Sequence, residues 1–197
     1  TYTLSDTCLA LNTPLISASA LAMSGYVGGF CAGAPSVRAL FPDLPSNLAS
    51  CATAGVLGPV VGALGAAQAQ MALSVLLQLT PSALGELLTL DFANHHFSSF
   101  RFDGAPEPRS AHVYPFIALE TLRTDDVVIE LRGEDEAPLP VIPEAVRATV
   151  ADFERGGVAL PSGGRTVMCC RSGLRAWRAA VALSPCDDKP IVLLAVG

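Results

Sequence analysis

Apolar and polar residues follow patterns along the 197-residue chain that predict both helices and strands. In the first half the predicted helices are 4–11 and 59–79, and the predicted strands are 14–20, 25–30, 86–92 and 97–102. In the second half the predicted strands are 127–131, 166–169 and 191–195, and the predicted helices are 143–154 and 175–183. Strands that alternate with helices indicate an α/β fold, with a small parallel sheet in the second half.

The charged side chains are unevenly distributed. Residues 1–102 hold two of the 12 basic and four of the 18 acidic residues. The composition changes near Phe102, and the Gly- and Pro-containing residues 103–112 predict a linker between two domains, 1–102 and 113–197. Because a domain with so few charges has little polar surface, we expect the first one to pack against more protein, either a missing segment or a second subunit.

Composition also excludes several classes of protein. The net charge of −6 leaves no basic surplus to hold a phosphate backbone, so we expect no nucleic-acid partner. With 51% hydrophobic and 15% charged residues, most of the chain is not intrinsically disordered. The six cysteines have neither paired secretory spacing nor a C-x-x-C pattern, which predicts a reducing, cytoplasmic compartment.

The longest uncharged stretch, between Asp43 and Glu86, is long enough to suggest a membrane span. It contains three glutamines and Pro59, however, and no Lys or Arg flanks it closely. These features favour a closely packed helix in the core or in a subunit interface. We therefore expect no membrane partner.

Four sequence runs in the first half carry a resemblance to a known family. They are VRALFP at 37–42, CATAGVLGPVVG at 51–62, Gln-Ala at 68–69 and Leu-Asp at 90–91. In this order they resemble the C-terminal half of the MoeB/ThiF/HesA family, ubiquitin-activating-like adenylyltransferases that act on the C-terminal glycine of sulfur-carrier proteins. The resemblance implies a partial mixed-sheet ThiF-like domain and a ubiquitin-like sulfur carrier as partner. We expect a homodimer as well, and that expectation rests only on the apolar, charge-poor first half.

The resemblance also bears on cofactors. The family holds ATP and Mg²⁺ in an N-terminal half, so we expect those cofactors only in a complete member and none in this chain. Relatives often carry C-x-x-C pairs where this chain has residues 36–39 and 104–109, and neither stretch here contains Cys or His. Because a tetrahedral structural site needs four N or S ligands, we expect no structural zinc. His95 and His96 are adjacent and cannot chelate one ion together.

Cys51 lies in the crossover segment of the first half. The family can carry, at the matching position, a cysteine that bonds to the sulfur carrier during transfer, although not every relative needs it. The small polar neighbours of Cys51 permit solvent access, and no nearby cation stabilises a thiolate there. Both a functional and a plain structural role for Cys51 stay open.

A second candidate site lies in the second half, where a short apolar strand ends and a helix begins. The sequence CRSGLR at 170–175 follows that strand directly and places Cys170 at the N-terminus of the helix. Unpaired N–H groups there favour an anionic sulfur, and Arg171 and Arg175 add positive charge. Gly173 allows the loop to curl tightly around the sulfur.

This loop is similar to the active-site loop of a rhodanese domain, and the runs VVIELR at 127–132 and VIPEA at 141–145 extend the similarity. The resemblance implies that Cys170 carries sulfur as a persulfide and that the loop holds the anionic donor. The candidate catalytic residues are Cys170, Arg171, Ser172, Gly173 and Arg175, together with Cys51. The six-residue loop favours sulfur transfer, because the related phosphatases use a loop one residue longer.

Three departures from the rhodanese pattern leave an alternative open. Glu130 stands where relatives commonly have Asp, the bulky Trp177 lies beside the loop, and Pro185 shortens the following helix. The leading interpretation is a sulfur-activating and sulfur-transferring enzyme. The alternative is a dimerisation and carrier-docking module whose rhodanese-like domain has lost its activity.

Overall fold

The computed structural model describes residues 1–44, 51–109, 113–156, 158, 160, 163–183 and 189–197, with the backbone alone at Cys51 and Ala52. The chain divides into two compact units, Thr1–Pro108 and Arg109–Gly197, and the division lies inside the predicted linker. Each unit has its own β-sheet with helices packed on it. The predicted α/β class is confirmed.

The first unit is built on a four-stranded antiparallel sheet. Its helices are α1 (Tyr2–Ala10), α2 (Val37–Leu40), α3 (Cys51–Ala54) and α4 (Gly58–Leu76). Its strands are β1 (Leu15–Leu21), β2 (Ser24–Phe30), β3 (Glu86–Asp91) and β4 (His96–Arg101), and they lie in the order β1-β2-β3-β4. All the elements predicted for this half are present, with their ends shifted by a few residues.

Side chains on the two faces of this sheet belong to separate buried clusters. Val27 and Leu88 pack with residues of α4 on one face. Phe30 and Leu87 pack with residues of α1 and α2 on the other. A Cβ at Gly25 would overlap Leu64 of α4, so this glycine allows the helix to approach the sheet closely.

Helix α4 buries one side only within its unit. Val60, Leu64 and Met71 are its buried residues. Large apolar side chains on and beside it are exposed, namely Leu57, Val61, Leu73, Leu76 and Leu77. It is the one helix in the described part of the chain that is long and apolar enough to cross a membrane, by length and composition. The expectation that it serves as an interface helix and not as a membrane span stays a prediction.

The second unit is built on a five-stranded parallel sheet. Its strands are β5 (Phe116–Ile117), β6 (Val127–Glu130), β7 (Val146–Arg147), β8 (Thr166–Cys170) and β9 (Ile191–Ala195), in the order β5-β9-β8-β6-β7. Its helices are α5 (Val150–Glu154) and α6 (Leu174–Leu183), with a short 3₁₀ turn at Leu119–Thr121. Strands β6 and β8 are buried at every position, as is typical of a parallel sheet covered on both faces.

The helix predicted over residues 143–154 is wrong in its first half. The structure has the short strand β7 at Val146–Arg147, and α5 begins only at Val150. Thr149 explains the late start, because its hydroxyl accepts a hydrogen bond from the Asp152 N–H while the Asp152 carboxylate accepts from the Thr149 N–H. This capping box fixes a helix N-terminus, and the apolar residues before it pair with β6.

Glu130 is a fully buried carboxylate at the end of β6. It accepts hydrogen bonds from Nε and Nη2 of Arg132 at 2.9 and 2.7 Å, and from the backbone N–H groups of Arg132 and Val141, both at 3.1 Å. Burial alone would raise the pKa of Glu130. The hydrogen bonds from Arg132 and Val141 outweigh burial and hold that pKa below its ordinary value.

We expect Glu130→Gln to lower the free energy of unfolding of the second unit by about 3 kcal/mol, because it leaves a largely buried Arg132 without its charge partner. Urea unfolding followed by fluorescence measures this, since the chain's one tryptophan, Trp177, packs in the second unit. Glu154→Gln is the control, because it breaks an exposed pair with Arg178 and should cost under about 1 kcal/mol. Equal losses in the two variants would contradict this prediction.

Candidate functional site

The sulfur of Cys170 lies where the central strand of the parallel sheet meets a helix. Cys170 is the last residue of β8, and α6 begins four residues later at Leu174. The backbone N–H groups of Gly173 and Ala176 donate to Sγ of Cys170 at 3.1 and 3.4 Å. The thiol has no exposed surface. Two main-chain donors, one from the loop and one from the first turn of α6, therefore face the sulfur.

Gly173 is required by the shape of this loop. Its φ of +88° lies in the left-handed region, and a Cβ on it would overlap the ring of Phe116 in β5. Any other residue would strain the backbone and push against that ring. The turn that brings the Gly173 N–H to Cys170 thus depends on glycine.

The two arginines of the loop have different surroundings. Arg171 is exposed, as is Ser172 beside it. Arg175 is half-buried, and its guanidinium donates to both carboxylate oxygens of Glu136 at 2.7 and 2.6 Å and to the Leu131 carbonyl at 3.2 Å. Glu136, and after it the nearby sulfur of Cys170, raise the pKa of Arg175 above its ordinary value. Arg175 is therefore the cation closely associated with the sulfur.

Glu136 is a residue of this site that the sequence analysis missed. It lies in the turn after β6 and is 39 positions away from Arg175 in the sequence. No local motif connects the two residues, and an acidic residue in a Gly- and Pro-containing loop has the composition of an ordinary solvent-exposed turn. The parallel order of β6 and β8 brings the two loops to the same edge of the sheet.

Cys51, the other candidate cysteine, belongs to the first unit. Its backbone begins α3, whereas its side chain and residues 45–50 before it lie outside the described part of the chain. A role for Cys51 in bonding to a carrier stays a prediction.

The positions where relatives carry zinc-binding cysteines are joined here by hydrogen bonds. The Glu107 carboxylate accepts from the Ser36 N–H at 2.7 Å and from the Ser36 hydroxyl at 2.6 Å. Hydroxyl and carboxylate oxygens do not make the tetrahedral N/S ligand set that structural zinc prefers. Within the described ranges, no three His, Cys, Asp or Glu side chains form a group that could hold a metal ion. The residues present do not fit a structural zinc.

A cleft of about 390 Å³ lies at the opposite, amino-terminal edge of the parallel strands. Asp126 and Val127 line it, beside Glu144 and Gly163. None of the candidate catalytic residues lines this cleft. Asp126 forms an ion pair with Arg165, and its Oδ1 lies 2.8 Å from Nε of the arginine.

The sequence pattern of the ThiF family matches residues 1–111, which is more than half of the chain. The chain belongs to the ThiF family. Among its curated relatives, the "Adenylyltransferase and sulfurtransferase MOCS3" of Bos taurus is 40% identical over 103 residues, covering 51% of this chain and 23% of the relative. The resemblance of the first half is thereby confirmed.

Two further relatives of this ThiF-family chain align over a longer stretch. The protein of the same name from Drosophila grimshawi is 31% identical over 160 residues, covering 78% of this chain and 35% of its own length. The one from Anopheles gambiae is 30% identical over 162 residues, covering 80% and 36%. The aligned part of this chain thus covers between 23% and 36% of the length of these three relatives. Because the longer alignments exceed the 108 residues of the first unit, they reach into the second.

Cys169 of the ThiF-family chain differs from its neighbour Cys170. It faces the opposite side of the sheet, among Val128, Val167 and Leu194, and its Sγ lies 3.9 Å from Oε2 of Glu130. Burial, and after it the charge of Glu130, raise the pKa of the Cys169 thiol to about 12. We interpret Cys169 as a core residue.

We expect Cys169 to resist alkylation in the folded chain, because about one thiol in 10⁴ is ionised at pH 8 when the pKa is near 12. Iodoacetamide labelling of Cys170→Ala, followed by peptide mass spectrometry, measures Cys169 without its neighbour. Half-buried Cys8 provides an internal reference, and labelling in urea gives the unprotected rate. Labelling of Cys169 at that unprotected rate in the folded chain would contradict its assignment to the core.

Proposed function

We propose that this chain is part of an adenylyltransferase and sulfurtransferase that activates and sulfurates the C-terminal glycine of a ubiquitin-like sulfur carrier. In this proposal Cys170 carries the sulfur as a persulfide. The observation that carries the proposal is the sulfur of Cys170 at the end of β8, where the N–H groups of Gly173 and Ala176 point at it and Arg175 lies close by. The relatives from Drosophila grimshawi, Anopheles gambiae and Bos taurus are named for the same pair of reactions, adenylyl transfer and sulfur transfer.

The proposed chemistry begins with the Cys170 thiolate. It attacks a sulfane sulfur of the donor, the donor's S–S bond breaks, and the leaving group departs with the electron pair. The product is a persulfide, whose terminal S⁻ can accept hydrogen bonds from the loop N–H groups. That S⁻ then attacks the carbonyl carbon of the carrier's acyl-adenylate, the C–O bond to the phosphate breaks, AMP leaves, and an acyl disulfide joins the carrier to Cys170. A second thiolate, supplied by a thiol reductant, attacks Sγ of Cys170 and breaks the S–S bond, so that the carrier leaves as a thiocarboxylate and Cys170 is left in a mixed disulfide.

The first unit has a separate role in this proposal. It provides the part of the ThiF-like domain on which the carrier docks, whereas the exposed side of α4 is kept for a second copy of the chain. ATP and Mg²⁺ serve the adenylation step, for which we propose no residue of this chain. A cytoplasmic location agrees with cysteines kept as free thiols, as Cys8, Cys31, Cys169 and Cys170 are in the structure.

A specific observation favours a second candidate function, the non-catalytic docking module. Cys170 has no exposed surface, and Arg175 of the same loop is paired with Glu136. A domain that only docks needs neither an accessible thiol nor a free arginine. The two functions differ in one measurable property, since only the enzyme forms a persulfide on Cys170.

We expect polysulfide to add one sulfur atom, about 32 Da, to the folded chain at Cys170. Intact mass spectrometry measures the adduct, and cyanide should remove it as thiocyanate. Cys170→Ala should abolish it. The matched control Cys169→Ala should retain it, because Cys169 lies on the other face of the sheet. A folded chain with no adduct on Cys170 would favour the docking module.

The proposal also includes a homodimer formed through α4. The exposed apolar side chains of this helix would lose unfavourable contact with water if a second copy covered them. Leu76 is the most exposed of them, with 78% of its surface accessible.

We expect the chain to dimerise at concentrations on the order of 10 μM, and Leu76→Glu to raise the dissociation constant at least about tenfold. Sedimentation equilibrium measures both quantities. Leu4→Glu is the control, because Leu4 is similarly exposed but lies on α1. A chain that stays monomeric at roughly 100 μM, or an equal effect of the control, would contradict an interface on α4.

A further inference from the structure

Arg175 follows the Cys170 loop at the start of α6 and pairs with a carboxylate from another loop. Its Nη1 and Nη2 donate to the two oxygens of Glu136 in a bidentate arrangement. Arg175, and less strongly Arg132 and Arg171, hold the pKa of Glu136 below its ordinary value. The carboxylate is therefore ionised at neutral pH and stays paired.

The loop that carries Glu136 is held in place by its own hydrogen bonds. The carbonyl of Gly133 accepts from the N–H groups of Glu136 and Ala137, at 3.1 and 2.9 Å. The guanidinium of Arg147 donates to the carbonyl of Arg132 at 2.7 Å and to that of Ala137. Glu136 is thus presented by a fixed turn, and its position beside Arg175 is part of the fold of the site.

A sulfur donor that carries an oxyanion needs the same guanidinium. Thiosulfate is the simplest such donor, with three sulfonate oxygens beside its sulfane sulfur. Two parallel N–H donors on one guanidinium are the preferred partner of such a group. Glu136 already occupies the two Nη atoms of Arg175, and its negative charge repels a second anion. Thiosulfate must therefore displace Glu136 in order to use this pair of donors, and the charge of Glu136 opposes an oxyanion at the other N–H groups of Arg175.

We propose that Glu136 is a specificity-determining residue of the sulfur-transfer loop, which disfavours oxyanion donors such as thiosulfate by occupying Arg175. This inference rests on the proposed function of Cys170. With thiosulfate, the Cys170 thiolate attacks the sulfane sulfur, the S–S bond breaks, and sulfite leaves with the electron pair. Polysulfides carry no oxyanion group that would take the bidentate contact of Glu136 with Arg175. They are anions as well, so Glu136 disfavours them through its charge alone and less strongly than it disfavours thiosulfate.

The central experiment measures anion binding without any turnover. Sulfate is used as an unreactive oxyanion and titrated into the full chain, with the backbone amide signals of Gly173 and Ala176 followed by NMR. We expect Glu136→Gln to bind sulfate about five- to tenfold more tightly than the unmodified chain, because it removes a charged competitor from Arg175. Glu136 is partly exposed, so this variant should fold, and Trp177 fluorescence checks that it does.

Two further variants make the result specific. Glu134→Gln removes one negative charge from the same loop at an exposed position and should leave sulfate affinity nearly unchanged. Arg175→Gln combined with Glu136→Gln should cancel the gain. Equal affinity in Glu136→Gln and the unmodified chain, or an equal gain in Glu134→Gln, would overturn the proposal.

The rate of persulfide formation extends the test to the donor. Glu136→Gln should accelerate adduct formation from thiosulfate several-fold and accelerate it from polysulfide less, because polysulfide gains only from the lost negative charge. Equal acceleration with both donors would overturn the proposed donor discrimination. If neither donor forms an adduct, the proposed function of Cys170 fails, whereas the sulfate titration still decides whether Glu136 blocks anions at Arg175.

Discussion

The buried carboxylate of Glu130 organises the edge of the sheet where the candidate site lies. At the end of β6 it accepts hydrogen bonds from the backbone and the side chain of Arg132, and a further one from the backbone N–H of Val141. The turn that presents Glu136 lies between these two anchored positions. On its other side Glu130 lies near Cys169, whose pKa is raised by burial and, after burial, by the charge of Glu130. Glu130 thus anchors the loop that carries Glu136, and it contributes to the low reactivity that we expect of Cys169.

The first unit contains few charged residues, and some of them form contacts between segments that are distant in the sequence. Glu107 accepts two hydrogen bonds from Ser36, and Arg38 pairs with Asp6 at 2.7 Å while stacking on the ring of Tyr2. The first contact joins the residues after β4 to the N-terminus of α2, and the second joins α2 to α1 on the same face of the sheet. The other face has α4, whose outer side is apolar, so the polar interactions of this unit are concentrated away from the surface that we propose for dimerisation.

The sequence predicted the elements whose signals are local. Strand 191–195 has the predicted ends, and the loop at Cys170 combines glycine, arginines and a strand-to-helix junction within six residues. The helix predicted from 143 was wrong because its apolar residues pair with β6, which is a tertiary effect. Glu136 was missed because its pairing with Arg175 depends on the order of the strands, which no pattern within one loop encodes. The burial of Cys170 is likewise a property of the assembled sheet.

The ion pairs Glu130–Arg132 and Glu136–Arg175 differ in burial, and this difference gives them different roles. Glu130 is fully buried and Arg132 is 15% exposed, so breaking that pair leaves a charge in a poorly solvated place and destabilises the fold. Glu136 and Arg175 are 32% and 37% exposed, so water and salt weaken their attraction and can replace either partner. A contact of the second kind contributes little to folding but still determines what else can approach Arg175. An exposed pair next to a reactive sulfur is therefore suited to select among donors, because an incoming group can displace it without unfolding the domain.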